Sequence, residues 1–139
     1  MIVSKVLPWL YIGNCTSAHS IALLRQHHIK MVINLHDEHL DPIFDEIEYK
    51  LIPLVDGDGN KWERIEEILR VLDEGKKLGN VLIHCCGGMS RSPFVVLAYL
   101  ILRQGWSMEK AIRWLKSVHP ITNINPKLLI MLKANSERK

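Results

Sequence analysis

At 139 residues, 47% hydrophobic and 24% charged, the sequence holds enough apolar material for one self-supporting core, and its formal net charge is only +3. No apolar run approaches a membrane span, the first residues lack the apolar core of a secretory leader, and the basic residues are scattered rather than interleaved with aromatics, so neither a membrane nor a nucleic-acid partner is expected. Three cysteines, two of them adjacent, do not make a disulfide framework, and a reducing, cytoplasmic setting is expected.

In chain order, Val3, Val6, Leu10, Tyr11 and Ile12 around Pro8 read as two short strands meeting at a turn, closed by Gly13 and Asn14. Thr16 or Ser17 caps a helix expected to reach about His27, with Ala18, Ile21, Ala22 and Leu24 as its apolar face. Residues 31–35 form a buried strand, a charged loop covers 36–48, and 49–52 form the next strand. Pro53 to Asn60 is a turn-rich loop. Trp62, Ile65, Ile68, Leu69 and Leu72 recur at helical spacing and predict a helix from Trp62 to Leu78. Val81-Leu82-Ile83 is a buried strand, and Pro93 to Leu102 is long enough for a helix of nearly three turns. Ser107 caps a helix over 108–118, and Pro126 opens the last one, to about Ala134. Short apolar strands alternating with helices predict a single α/β domain over 1–139, with a mostly parallel central sheet flanked by helices.

Between the central strand and its helix lies His84-Cys85-Cys86-Gly87-Gly88-Met89-Ser90-Arg91-Ser92. A strand that breaks into a Gly-containing loop and re-emerges as a helix is suited to an anion. Backbone N–H groups turn inward, and the helix start adds unpaired donors and the positive end of its dipole. Five residues separate Cys85 from Arg91, enough to wrap a tetrahedral oxyanion with the sulfur below it and the guanidinium gripping two oxygens. Charge is unevenly placed. Residues 36–74 carry thirteen Asp/Glu against four Lys/Arg, and the remainder carries fourteen Lys/Arg against two Asp/Glu. The part holding Cys85 and Arg91 is therefore basic, which favours an anionic substrate.

This Cys-x5-Arg-Ser stretch resembles the phosphate-binding loop of cysteine-based protein phosphatases. Leu10-Tyr11-Ile12-Gly13, Val32-Ile33-Asn34, Ile52-Pro53-Leu54-Val55-Asp56, Asn125 and Leu132 occur in the order seen in the dual-specificity phosphatases, so the resemblance runs from about Val6 to Leu132. It implies a metal-independent phosphomonoesterase with no cofactor, acting as a monomer on phosphotyrosine, and on phosphoserine or phosphothreonine, in phosphorylated proteins or peptides. A phosphoprotein-binding module without turnover, or a phosphatase of non-protein phosphomonoesters, is the alternative.

The resemblance assigns roles. Cys85 is the expected nucleophile, its thiolate favoured by the ring of amides and Arg91. Residues Cys86, Gly87, Gly88, Met89, Ser90 and Arg91 bind phosphate, and Ser92 hydrogen-bonds Cys85 to ease its departure. His84 orients the loop and Asn125 supports it. A general acid is required for the leaving group. Asp56, 29 residues before Cys85, occupies the family's slot, with Asp58 two residues on as the competitor. Gly57 and Gly59 fit either a closing lid or a plain turn. His119-Pro120 departs from the family's usual Arg-Pro and weakens any claim to a second phosphate-binding patch. Cys15 reads as buried filler, and no zinc site is indicated.

Overall fold

The computed structural model describes residues 2–37 and 41–137. Residues 38–40 of the charged loop, and the terminal residues 1, 138 and 139 of the expected domain, lie outside the described residues. Five strands form one sheet: β1 (Val3–Leu7), β2 (Leu10–Gly13), β3 (Ile29–Asn34), β4 (Glu48–Leu51) and β5 (Asn80–His84). Their spatial order is β1-β2-β5-β3-β4. β1 and β2 form an antiparallel hairpin, whereas β2, β5, β3 and β4 run parallel, so β5 is central.

Alternation along the central strands divides the core between the two faces of the sheet. Leu10, Ile12, Met31, Ile33, Val81 and Ile83 pack toward one large cluster, while Tyr11, Val32 and Leu82 join a smaller one. The smaller cluster is covered by α1 (Cys15–Ala18) and α2 (Ile21–Gln26). The larger is covered by α3 (Trp62–Leu78), α4 (Arg91–Leu102), α5 (Met108–Val118) and α6 (Pro126–Ser136). Every residue of α4 from Ser92 to Leu100 is buried, as expected of a helix apolar on all sides. Helix α3 presses close to the sheet at Gly75, where a Cβ would sit 2.7 Å from Met31 Sδ and 2.8 Å from Val81 Cγ2.

The spans of α3 and α5 agree with the periodicity, and Ser107 accepts the Lys110 N–H as the cap of α5. The helix expected to run unbroken to His27 is two helices. Asn14, rather than Thr16 or Ser17, caps the first in a reciprocal box with Ser17, and Ser20 caps the second through the Leu23 N–H. The restart turns Ala22 to solvent, away from the apolar face assigned to it. Helix α4 starts two residues before Pro93, and α6 continues two residues beyond Ala134.

Candidate active site

β5 ends at His84, the chain turns through 85–90, and α4 begins at Arg91, so the loop lies at the carboxyl end of the central strand. Gly88 carries φ +72°, and a Cβ there would lie 2.9 Å from the Gly13 carbonyl oxygen, so glycine is required both for conformation and for space. Cys85 is 3% exposed at the base of the loop, and its Sγ lies 3.3 Å from Oγ of fully buried Ser92 on the first turn of α4. Ser90 is the N-cap of α4 yet makes no side-chain cap bond. Its hydroxyl instead donates to Asp56 Oδ1 at 2.5 Å and accepts the Asn125 N–H at 2.9 Å. The donors at the start of α4 are thus left without a side-chain cap at the position suited to an anion.

Arg91 Nη1 donates to the Leu54 carbonyl at 3.3 Å, which ties the start of α4 to the segment leading into Asp56. That segment is a closed turn. Asn60 accepts the Val55 N–H and donates to the carbonyls of Val55 and Gly57, and Asn125 Nδ2 donates to the Asp56 carbonyl at 2.8 Å. Gly57 and Gly59, at φ +155° and +102°, are therefore turn residues in a pinned loop. Asp58 pairs instead with Lys127 Nζ at 2.9 Å on the first turn of α6. Cys85, Arg91, Ser92, Ser90, Asp56 and Asn125 thus come together, and Asp58 does not join them.

His84 is fully buried, with Nδ1 3.4 Å from the Cys85 carbonyl oxygen. Its Nε2 lies 3.0 and 3.1 Å from the two oxygens of Asp41, whose side chain is 6% exposed, and His19 Nε2 lies 3.3 Å from the same carboxylate. Asp41 was indistinguishable in sequence from the other acids of the 36–48 loop. Two further contacts hold the back of the loop: His119 Nε2 lies 2.5 Å from the Gly88 carbonyl oxygen, and the Asn123 N–H donates to the Met89 carbonyl at 2.7 Å, while His119 Nδ1 lies 2.6 Å from Ser4 Oγ on β1. His119, read from sequence only as a lost arginine, is 1% exposed and part of this support.

The other two cysteines border the same loop. Cys86 is exposed, whereas half-buried Cys15 directs its thiol at the Cys85 carbonyl at 3.8 Å and its N–H at the Cys86 carbonyl at 3.5 Å. Burial, reinforced by neighbouring Cys86, pushes the Cys15 thiol up to about 11. Cys15 is thus a neighbour of the phosphate loop as well as filler. Among the described residues no cluster of His, Cys, Asp or Glu is arranged to hold a metal ion, and no helix is long and apolar enough to cross a membrane.

The family described as "Dual specificity phosphatase, catalytic domain" matches residues 10–138. Protein-tyrosine-phosphatase IBR5 of Arabidopsis thaliana is 32% identical over 132 residues, covering 94% of this chain and 49% of that protein. Human dual specificity protein phosphatase 18 is 31% identical over 127 residues, covering 88% and 66% respectively. The chain thus spans about half to two thirds of the length of these curated relatives. A mouse putative dual specificity phosphatase, solved as a complex with zinc tungstate, superimposes with a TM-score of 0.91 at 25% identity, covering 98% of this chain and 87% of that one. With the strand-loop-helix geometry and a match of this extent, the chain belongs to the dual specificity phosphatase catalytic-domain family.

Proposed function

We propose that the chain is a protein phosphatase that hydrolyses phosphotyrosine, and phosphoserine or phosphothreonine, through a phosphocysteine intermediate. The observation that carries this reading is the placement of Cys85 Sγ beside Ser92 Oγ on one side of the loop and the Asp56 carboxyl on Ser90 at its other end. In the first step the Cys85 thiolate forms a bond to phosphorus while the P–O bond to the leaving group breaks. Arg91 and the loop amides hold the equatorial oxygens, and Asp56 gives its proton to the departing oxygen. In the second step water attacks phosphorus, Asp56 takes a proton from it, and Cys85 leaves as a thiolate stabilised by the Ser92 hydroxyl.

Loop positions 86–90 carry no charge, which suits one phosphate on a neutral group rather than a polyphosphorylated substrate. Val55 and Met89, both exposed beside Asp56 and the loop, offer apolar surface to a phosphotyrosine ring. The reading includes no metal or cofactor, a monomer, and a reducing cytoplasm in which the thiol survives. The test is turnover of phosphotyrosine, phosphoserine and phosphothreonine peptides with and without excess chelator. Turnover unaffected by chelator is expected. Binding without turnover would make the chain a phosphoprotein-binding module, and turnover confined to small non-protein phosphomonoesters would move the substrate class.

A further inference from the structure

His119 sits at the C-cap of α5, beneath the phosphate loop rather than on its rim, and both ring nitrogens are engaged. The Gly88 carbonyl can only accept, so the hydrogen of the ring lies on Nε2. In the neutral ring Nδ1 is then an acceptor, and the Ser4 hydroxyl on β1 supplies its hydrogen. A three-member relay therefore runs from the sheet edge to the loop: Ser4 Oγ donates to His119 Nδ1, and His119 Nε2 donates to the Gly88 oxygen.

The consequence lies on the other side of the peptide plane. The chain contains no cis peptide bond among its described residues, so the Gly88 C=O and the Met89 N–H point in opposite directions. Holding the carbonyl against buried His119 turns the Met89 N–H to the side of the loop facing away from His119. The next peptide is held in the same sense, because the Asn123 N–H takes the Met89 carbonyl.

We infer that His119 is a positioning residue for phosphate binding, which sets the Met89 amide as an oxyanion donor and is itself fixed in one tautomer by Ser4. This rests on the phosphatase reading of the loop. The measurement is calorimetric titration with tungstate, an oxyanion similar in shape and charge to phosphate, alongside kcat/KM on nitrophenyl phosphate. His119→Leu keeps bulk but removes the donor, and it should weaken tungstate by about tenfold or more and lower kcat/KM in proportion. His119→Gln can place an amide N–H near the position of Nε2, and it should restore both to within about threefold of the parent protein.

A merely structural role gives a different signature. Partly unfolded protein lowers the stoichiometry of binding and leaves the dissociation constant alone, whereas a mis-set amide changes the constant at full stoichiometry. Unchanged tungstate affinity in His119→Leu, or a glutamine variant as weak as the leucine one, overturns the inference. Should the leucine variant not fold, Ser4→Ala carries the test. It should weaken tungstate by about threefold, and an unchanged constant overturns the inference there as well. A parent protein that binds tungstate but turns over no phosphomonoester would defeat the phosphatase reading and leave the comparison of variants intact. One that binds no tungstate would defeat both.

Discussion

Ser90 donates its hydroxyl hydrogen to Asp56 Oδ1 at 2.5 Å, although the two lie 34 positions apart. This bond joins the phosphate loop to the acid-bearing turn, and Asn125 closes the junction through its backbone N–H to Ser90 and its amide to the Asp56 carbonyl. The N-cap position of α4 is thereby used to locate a carboxyl group instead of capping a helix.

From that geometry Asp56, not Asp58, is expected to supply the leaving-group proton. A nitrophenolate departs as a stable anion and hardly needs protonation, whereas a serine alkoxide needs it badly. Asp56→Asn should therefore cost little on nitrophenyl phosphate and on the order of a hundredfold on phosphoserine peptides. Asp58→Asn loses an exposed ion pair to Lys127 and should stay near the parent rate on both. Steady-state rates on the two substrate classes check this, and the reverse pattern would move the acid to Asp58.

Ser92 should matter in the second step only. With Oγ 3.3 Å from Cys85 Sγ, its hydroxyl favours the departing thiolate. Ser92→Ala should leave the first turnover fast and slow the hydrolysis of phosphocysteine by about tenfold or more, so that phosphoenzyme accumulates. Rapid-quench measurement would show a burst of nitrophenol close to one per active site. A slow first turnover would place Ser92 in phosphoryl transfer to the enzyme instead.

Cys85 and Arg91 should separate chemistry from binding. Cys85→Ser should reduce turnover by roughly a thousandfold or more while phosphopeptide still binds, since the amides and Arg91 remain. Arg91→Lys should damage both, because a point charge cannot reproduce the bidentate fork or the contact made to the Leu54 carbonyl. Comparable turnover in the serine variant would remove the covalent step.

Much of this arrangement is legible in sequence where the signal is local. Trp62 to Leu78 carries its own periodicity, Met108 to Val118 its periodicity and the Ser107 cap, and the loop from His84 to Ser92 its own spacing. The break between α1 and α2 escaped because Asn14, Thr16, Ser17 and Ser20 are all competent caps, and only packing selects among them. Asp56 and Asp58 are equivalent as residues in a turn. They differ through Ser90 and Lys127, contacts made across 34 and 69 positions. Asp41 on His84 and His119 on Gly88 are likewise long-range, and no periodicity announces a side chain that acts across 43 or 31 positions.

Stability is expected to fall at alkaline pH. Tyr99 on α4 is 2% exposed, and its hydroxyl donates to Asp73 Oδ1 at 3.2 Å. Burial and the adjacent Asp73 carboxylate push it up to about 12, from an ordinary value of 10.0. Cys15 is displaced in the same direction, from 9.0 to about 11. In both cases the folded protein holds a proton that the unfolded chain releases first. Above the ordinary values the unfolded state therefore binds fewer protons, and stability falls as pH rises, across 9 to 11 for the thiol and 10 to 12 for the phenol. Well below pH 9 neither group contributes appreciable slope. Urea unfolding at a series of pH values should show a plateau followed by a steepening decline. Tyr99→Phe should begin about 1 kcal/mol lower, from the lost bond to Asp73, and decline less steeply above pH 10. A variant curve parallel to the parent through that range would mean that Tyr99 does not retain its proton in the fold.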